Sequence, residues 1–122
     1  MNRDFELIRS LLFLFESKSD STMLEHPEMD GFTDSQIAYH FRLLNDAGLL
    51  RCEPITSSTS NRVIRVLPFE LTWEGHEFLD KIRADTTWNK IKNYSKDKGV
   101  TLSFSVVTAL AKKMITDALL VT

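Results

Sequence analysis

The chain has 122 residues, 43% of them hydrophobic and 26% charged, with a formal net charge of −2. That is enough chain for one domain with its own core, too apolar for a disordered segment, and too acidic for a strongly basic nucleic-acid binder. The lone cysteine, Cys52, excludes an internal disulfide and a cysteine-clustered metal centre, and it suits a reducing, cytoplasmic setting.

The longest apolar run, Leu11–Phe15, is far short of the roughly 18–20 residues that cross a bilayer. No small-residue cleavage site follows it, so neither a membrane span nor a secretory leader is expected. Charge is unevenly placed. Residues 1–32 carry seven acids against three bases, residues 33–67 three against four, and residues 68–122 seven against eight. The middle of the chain is therefore less acidic than its start, without being a basic patch.

Residues 4–17 place Phe5, Ile8, Leu12 and Phe15 at helical spacing, with Leu7, Leu11 and Leu14 beside them, which predicts a central core helix. Residues 17–33 are polar and acidic, broken by Pro27 and Gly31, with a short strand expected at Thr22–Glu25. The acids Glu25, Glu28, Asp30 and Asp34 lack the regular oxygen spacing of a calcium loop, so a solvated connection is the reading.

A second helix starts at Thr33 or Asp34, either able to cap it, with Ile37, Phe41 and Leu44 facing inward and Gly48 stopping it. Leu49–Ile55 and Arg62–Leu67 read as two strands joined by the turn TSSTSN, a β-hairpin. Thr72 caps a third helix whose core positions are Phe78, Leu79 and Ile82, joined by Trp73. Gly75, in the first turn of that helix, predicts close approach of another backbone.

Asp85–Lys98 reads as a fourth helix, apolar at Trp88, Ile91 and Tyr94 and stopped by Gly99. Its lysines 90, 92, 96 and 98 fit a solvated face better than a phosphate track. Trp73 and Trp88 fit core anchors better than platforms for stacked bases. Ser103 or Ser105 caps a last helix with a broad apolar stripe from Val106 to Leu119. Such a stripe either packs across a two-fold axis, making a homodimer through Ser105–Leu120, or docks on the first helix.

The fold class expected is mainly α with a small antiparallel β-hairpin, a winged helix-turn-helix-like domain over residues 1–122 in which 85–122 form a C-terminal helical extension. The segments NRDFELIR, IAYHFRLLNDAGLL, LTWEGHEFLDKIRADTTWNKIK and SFSVV together resemble domain-of-unknown-function family 2513, found in bacteria and phages. The resemblance spans nearly the whole chain and implies no established activity, substrate or cofactor. A looser resemblance is to winged-helix regulators, which carry "HLxxLxxAGL", a hairpin wing and "LTxxG". Here His40 to Leu49 and Leu71 to Gly75 match these. Those regulators have a helix immediately before the reading helix, where this chain has an acidic loop.

If the second helix enters a major groove, the face opposite Ile37, Phe41 and Leu44 must touch it. That face presents Ser35, Gln36, Tyr39, His40 and Arg42, with Gln36 suited to adenine and Arg42 to guanine or phosphate. The wing adds Ser58, Thr59, Asn61 and Arg62, with Arg65 behind. The competing reading uses the same scaffold to bind a protein partner or itself. Catalysis is not expected. His26, His40 and His76 have no metal-ligand spacing, there is no glycine-rich phosphate loop, and Cys52 beside Glu53 is a poor thiolate. The sequence implies no cofactor and identifies no small-molecule ligand.

Overall fold

The structure is a computed structural model that describes residues 1–121, residue 121 by its backbone alone. Its elements run α1 (Phe5–Glu16), α2 (Asp34–Asp46), β1 (Leu50–Thr56), β2 (Val63–Leu71), α3 (Trp73–Ile82), α4 (Asp85–Lys98) and α5 (Phe104–Val121). This is the α+β class expected, with an antiparallel two-stranded hairpin. Two compact units divide it within α3, Met1–His76 and the residues from Glu77 onward.

In the first unit, α1 is capped by Asp4, whose side chain accepts from the backbone N–H groups of Glu6 and Leu7. Its wide apolar stripe buries Phe5, Leu7, Ile8, Leu11, Leu12 and Phe15, so it is covered on more than one side. Helix α2 buries Ile37, Phe41 and Leu44 as predicted. Phe41 meets Phe15 of α1 edge to face at 5.6 Å between ring centres, a geometry worth about 0.5–1.5 kcal/mol beyond its buried area.

Thr33 caps α2 in a reciprocal box. Its hydroxyl accepts from the Gln36 N–H while the Gln36 side-chain oxygen accepts from the Thr33 N–H at 2.8 Å. The far end closes as a Schellman turn. Gly48 adopts φ +74°, its N–H reaches Asn45 O, and the Leu49 N–H reaches Leu44 O at 2.9 Å. Helix α2 thus hands the chain directly to β1.

The hairpin is longer than the sequence suggested, because β2 continues through Pro68 to Leu71. Arg51 pairs with Glu70 and Cys52 with Pro68, which leaves Phe69 as an extra residue in a bulge. A bulge is where a strand tolerates a proline without losing its ladder. The Pro68 carbonyl instead accepts from the Leu24 N–H at 3.1 Å. Residues 22–25 are therefore tethered beside β2 but form no strand, because one backbone bond makes no ladder. Lys18 secures the same loop, donating to the carbonyls of Thr22 and Phe69 and lying over the Phe15 ring.

The turn between α2 and β1 is clamped by the start of α3. The Thr72 hydroxyl donates to Gly48 O at 2.6 Å and accepts from the Gly75 N–H at 3.0 Å, and the Thr72 N–H reaches Leu49 O. A Cβ on Gly75 would stand 2.0 Å from Leu49 O, so the close backbone approach predicted there is present.

In the second unit, Phe78, Leu79, Ile82, Trp88, Ile91, Val107 and Ala111 are buried. Phe78 stacks on Phe104 at 4.8 Å. Gly99 stops α4 at φ +65°, and Ser103 caps α5 through its hydroxyl to the Val106 N–H. Two aromatic assignments need correction. Trp73 is 75% exposed and Tyr94 is 42% exposed. Each sits at an apolar-looking helical position that no neighbouring element covers.

Candidate nucleic-acid interface

Residues Asp34, Ser35 and Ala38 of α2 line a cleft together with Arg65 and Val66 of β2, while Leu49 and Leu50 at the other end of α2 begin the hairpin. The helix therefore runs alongside the hairpin, its start level with the middle of β2. The tip, residues 57–62, projects beyond that start by roughly 10 Å at about 3.3 Å per residue.

Ser35, Gln36 and Arg42 are exposed, and Tyr39 is half-buried. At the tip Ser58, Thr59, Asn61 and Arg62 are all exposed, in a turn held by the Ser57 N–H to Arg62 O bond at 2.8 Å. No ion pair engages Arg42 or Arg62 among the described residues. The start of α2 and the tip thus lie toward one end of the hairpin. Arg42 lies about two turns further along, roughly 10 Å at 1.5 Å per residue from Ser35.

His40 departs from the expected exposed face. It is only 2% exposed. Its Nε2 accepts from the Asp4 N–H at 2.8 Å, and its Nδ1 donates to the Gln36 carbonyl at 2.7 Å. A carbonyl can only accept, so Nδ1 carries the proton and the ring is the neutral tautomer. His40 ties the start of α1 to α2 and is almost wholly enclosed. The signal lay in its position, since 37, 40, 41 and 44 together form the i, i+3, i+4, i+7 face of a helix.

Gln36 is also partly committed. Its side-chain oxygen closes the capping box, so a bidentate contact to adenine would compete with that bond. Arg65 is not free either, since its Nε lies 3.3 Å from Glu25 Oε1. Arg51 pairs with Glu70 at 2.7 Å across the strands. Arg42 and Arg62 are the cations this face presents.

Other candidate chemistry is quiet. Burial pushes the Cys52 thiol up to about 11, which reinforces its poor reactivity by a cause the sequence did not disclose. Alkylation of Cys52 at pH 8 should run at least tenfold slower than that of a free cysteine, measured by mass-resolved iodoacetamide kinetics. A rate equal to the free thiol's would contradict that environment. Because the raised value favours the protonated folded form, this group's contribution to stability is full below about pH 9 and is lost as pH rises toward 11.

Lys90, Lys96 and Lys98 are exposed on α4, while Lys92 lies over the Trp88 ring. Among the described residues no three His, Cys, Asp or Glu side chains are placed to hold a metal ion. None of the helices described is long and apolar enough to cross a membrane.

The fold and this face define a helical protein with a β-hairpin that follows its second helix, an arrangement consistent with a winged helix. Residues 18–33, where winged-helix regulators carry a helix, are non-helical. Residues 2–101 match the family described as "Hypothetical protein (DUF2513)", and the chain belongs to that family. It is 40% identical over 120 residues to an uncharacterised protein of Haemophilus influenzae, covering 98% of this chain and 99% of that one. No solved structure matches it.

Proposed function

We propose that this is a non-enzymatic, cytoplasmic DNA-binding protein of bacterial or phage origin, with helix α2 in the major groove and the hairpin tip against the adjoining backbone. The observation that carries the reading is an α2 face with exposed Ser35, half-buried Tyr39 and exposed, unpaired Arg42, on a helix that runs beside a hairpin whose exposed polar tip ends in unpaired Arg62. Gln36 and His40 are occupied in holding the helix, so base discrimination rests on few side chains and phosphate contact dominates. Fluorescence-anisotropy titration against mixed-sequence duplex DNA tests this. Affinity should fall as salt rises, with a logarithmic slope of about −0.9 per phosphate contact. Arg42→Ala with Arg62→Ala should abolish binding while the thermal midpoint holds.

A second reading, the same scaffold as a self-association module, has its own support. Ile115, Leu119 and Leu120 on α5 are 46%, 71% and 80% exposed. We propose a homodimer through this helix, compatible with DNA binding if the two α2 helices lie about 34 Å apart. Sedimentation velocity should give a dimer that Ile115→Lys with Leu120→Lys converts to a monomer. Salt-insensitive or absent DNA binding alongside a stable dimer would favour this second reading.

A further inference from the structure

One side of α2 closes over a cleft of about 280 Å³, shared with the loop before it and with β2. That volume lies below the roughly 300–1,000 Å³ of pockets that hold drug-sized molecules, so it selects a small occupant. Its apolar wall is made by Ile37, Phe41 and Val66, each at most 5% exposed. Its polar rim carries Glu25, Asp34 and Arg65.

The rim is arranged rather than merely charged. Arg65 meets Glu25 through Nε, at 3.3 Å. That contact holds the guanidinium, whose planar fork suits a carboxylate, at the rim of the cleft. The Glu25 side chain is only 18% exposed, and its second oxygen lies 3.8 Å from His26 Nε2. A simple anion on Arg65 would also face the carboxylates of Glu25 and Asp34. A simple cation would face Arg65 and the positive end of α2. A molecule carrying both charges next to each other satisfies each side, and the apolar wall then takes its side chain.

We infer that this cleft binds a small zwitterion with an apolar side chain, the chemistry of a free branched-chain amino acid. The carboxylate lies on the Arg65 fork, the ammonium between Glu25 and Asp34, and the hydrocarbon against Ile37, Phe41 and Val66. The site abuts the helix assigned above to DNA, yet the binding itself does not depend on that assignment.

The test is a methyl NMR titration of the full chain without DNA, following Ile37 and Val66 as L-leucine is added. Isopentylamine and 4-methylpentanoate, which each lack one charge, serve as comparators. Leucine should produce saturable shifts at both residues and bind at least about tenfold more tightly than either comparator. Arg65→Met should weaken leucine by about tenfold or more without weakening isopentylamine, which loses a repulsive neighbour. The absence of saturable shifts at Ile37 and Val66 overturns the inference, as does equal affinity for leucine and its single-charge analogues. The analogue series on the unmodified protein decides the matter even where Arg65→Met fails to fold. Because no DNA is present, a negative result here says nothing against the DNA reading, and loss of DNA binding says nothing against this one.

Discussion

Gly75→Ala should destabilise the first unit by about 4 kcal/mol, above the roughly 1–3 kcal/mol that overpacking an interior typically costs. The reason is geometric. The new Cβ would lie 2.0 Å from Leu49 O and 3.0 Å from Leu49 C, both backbone atoms that cannot swing aside as a side-chain tip would. Relief requires the start of α3 to withdraw from the turn between α2 and β1. That withdrawal stretches the bonds from Thr72 to Gly48 O and Leu49 O. Gly99→Ala provides the contrast. Gly99 has φ +65° and open space around it, so the substitution should cost only about 1–2 kcal/mol from left-handed backbone strain. Urea unfolding of both variants by circular dichroism measures the difference. Equal midpoints would contradict the close approach.

Trp88→Ala should cost about 3–5 kcal/mol and Trp73→Ala less than about 0.5 kcal/mol. Trp88 is 2% exposed and among the largest side chains fully enclosed in the second unit, whereas Trp73 is 75% exposed. The second unit is short, so removing its largest buried side chain should lower the cooperativity of the α4 and α5 signal as well as its midpoint. Thermal melts of the two single variants, each keeping one tryptophan as an emission probe, check this. A red-shifted native emission is expected from Trp88→Ala, where exposed Trp73 alone remains. A Trp73→Ala variant as unstable as Trp88→Ala would show that the outer face of α3 is covered in solution.

These two contrasts also show how far the chain could be read. The caps at Thr33 and Thr72, the stops at Gly48 and Gly99, and the inward positions Ile37, Phe41 and Leu44 were all legible. The signals are local, since a cap acts over three residues and a helical stripe over two turns. The segments AGLL and LTWEG meet in the structure. Gly48, Leu49, Thr72 and Gly75 form one clamp of hydrogen bonds and close backbone packing, a structural role for these segments.

The exposure of most residues named for the proposed interface was legible, whereas His40 is buried. The exposed positions of Ser35, Gln36, Arg42 and the hairpin tip follow from the helical period and the turn. His40 follows from the same period only when a polar side chain is allowed on the inner face, and that depends on finding the Asp4 N–H for its ring. No pattern along the chain reports such a distant donor.

The helices, their caps and stops, and the presence of the hairpin were thus determined by the order of the residues, because backbone hydrogen bonding and side-chain periodicity are short-range, whereas the length of β2 was not. Which tryptophan is enclosed, which arginine remains unpaired, and the cleft shared by Glu25 and Arg65 were decided only in three dimensions. Burial and charge pairing depend on which distant segments meet, and the free energy of each contact belongs to the pair rather than to either residue.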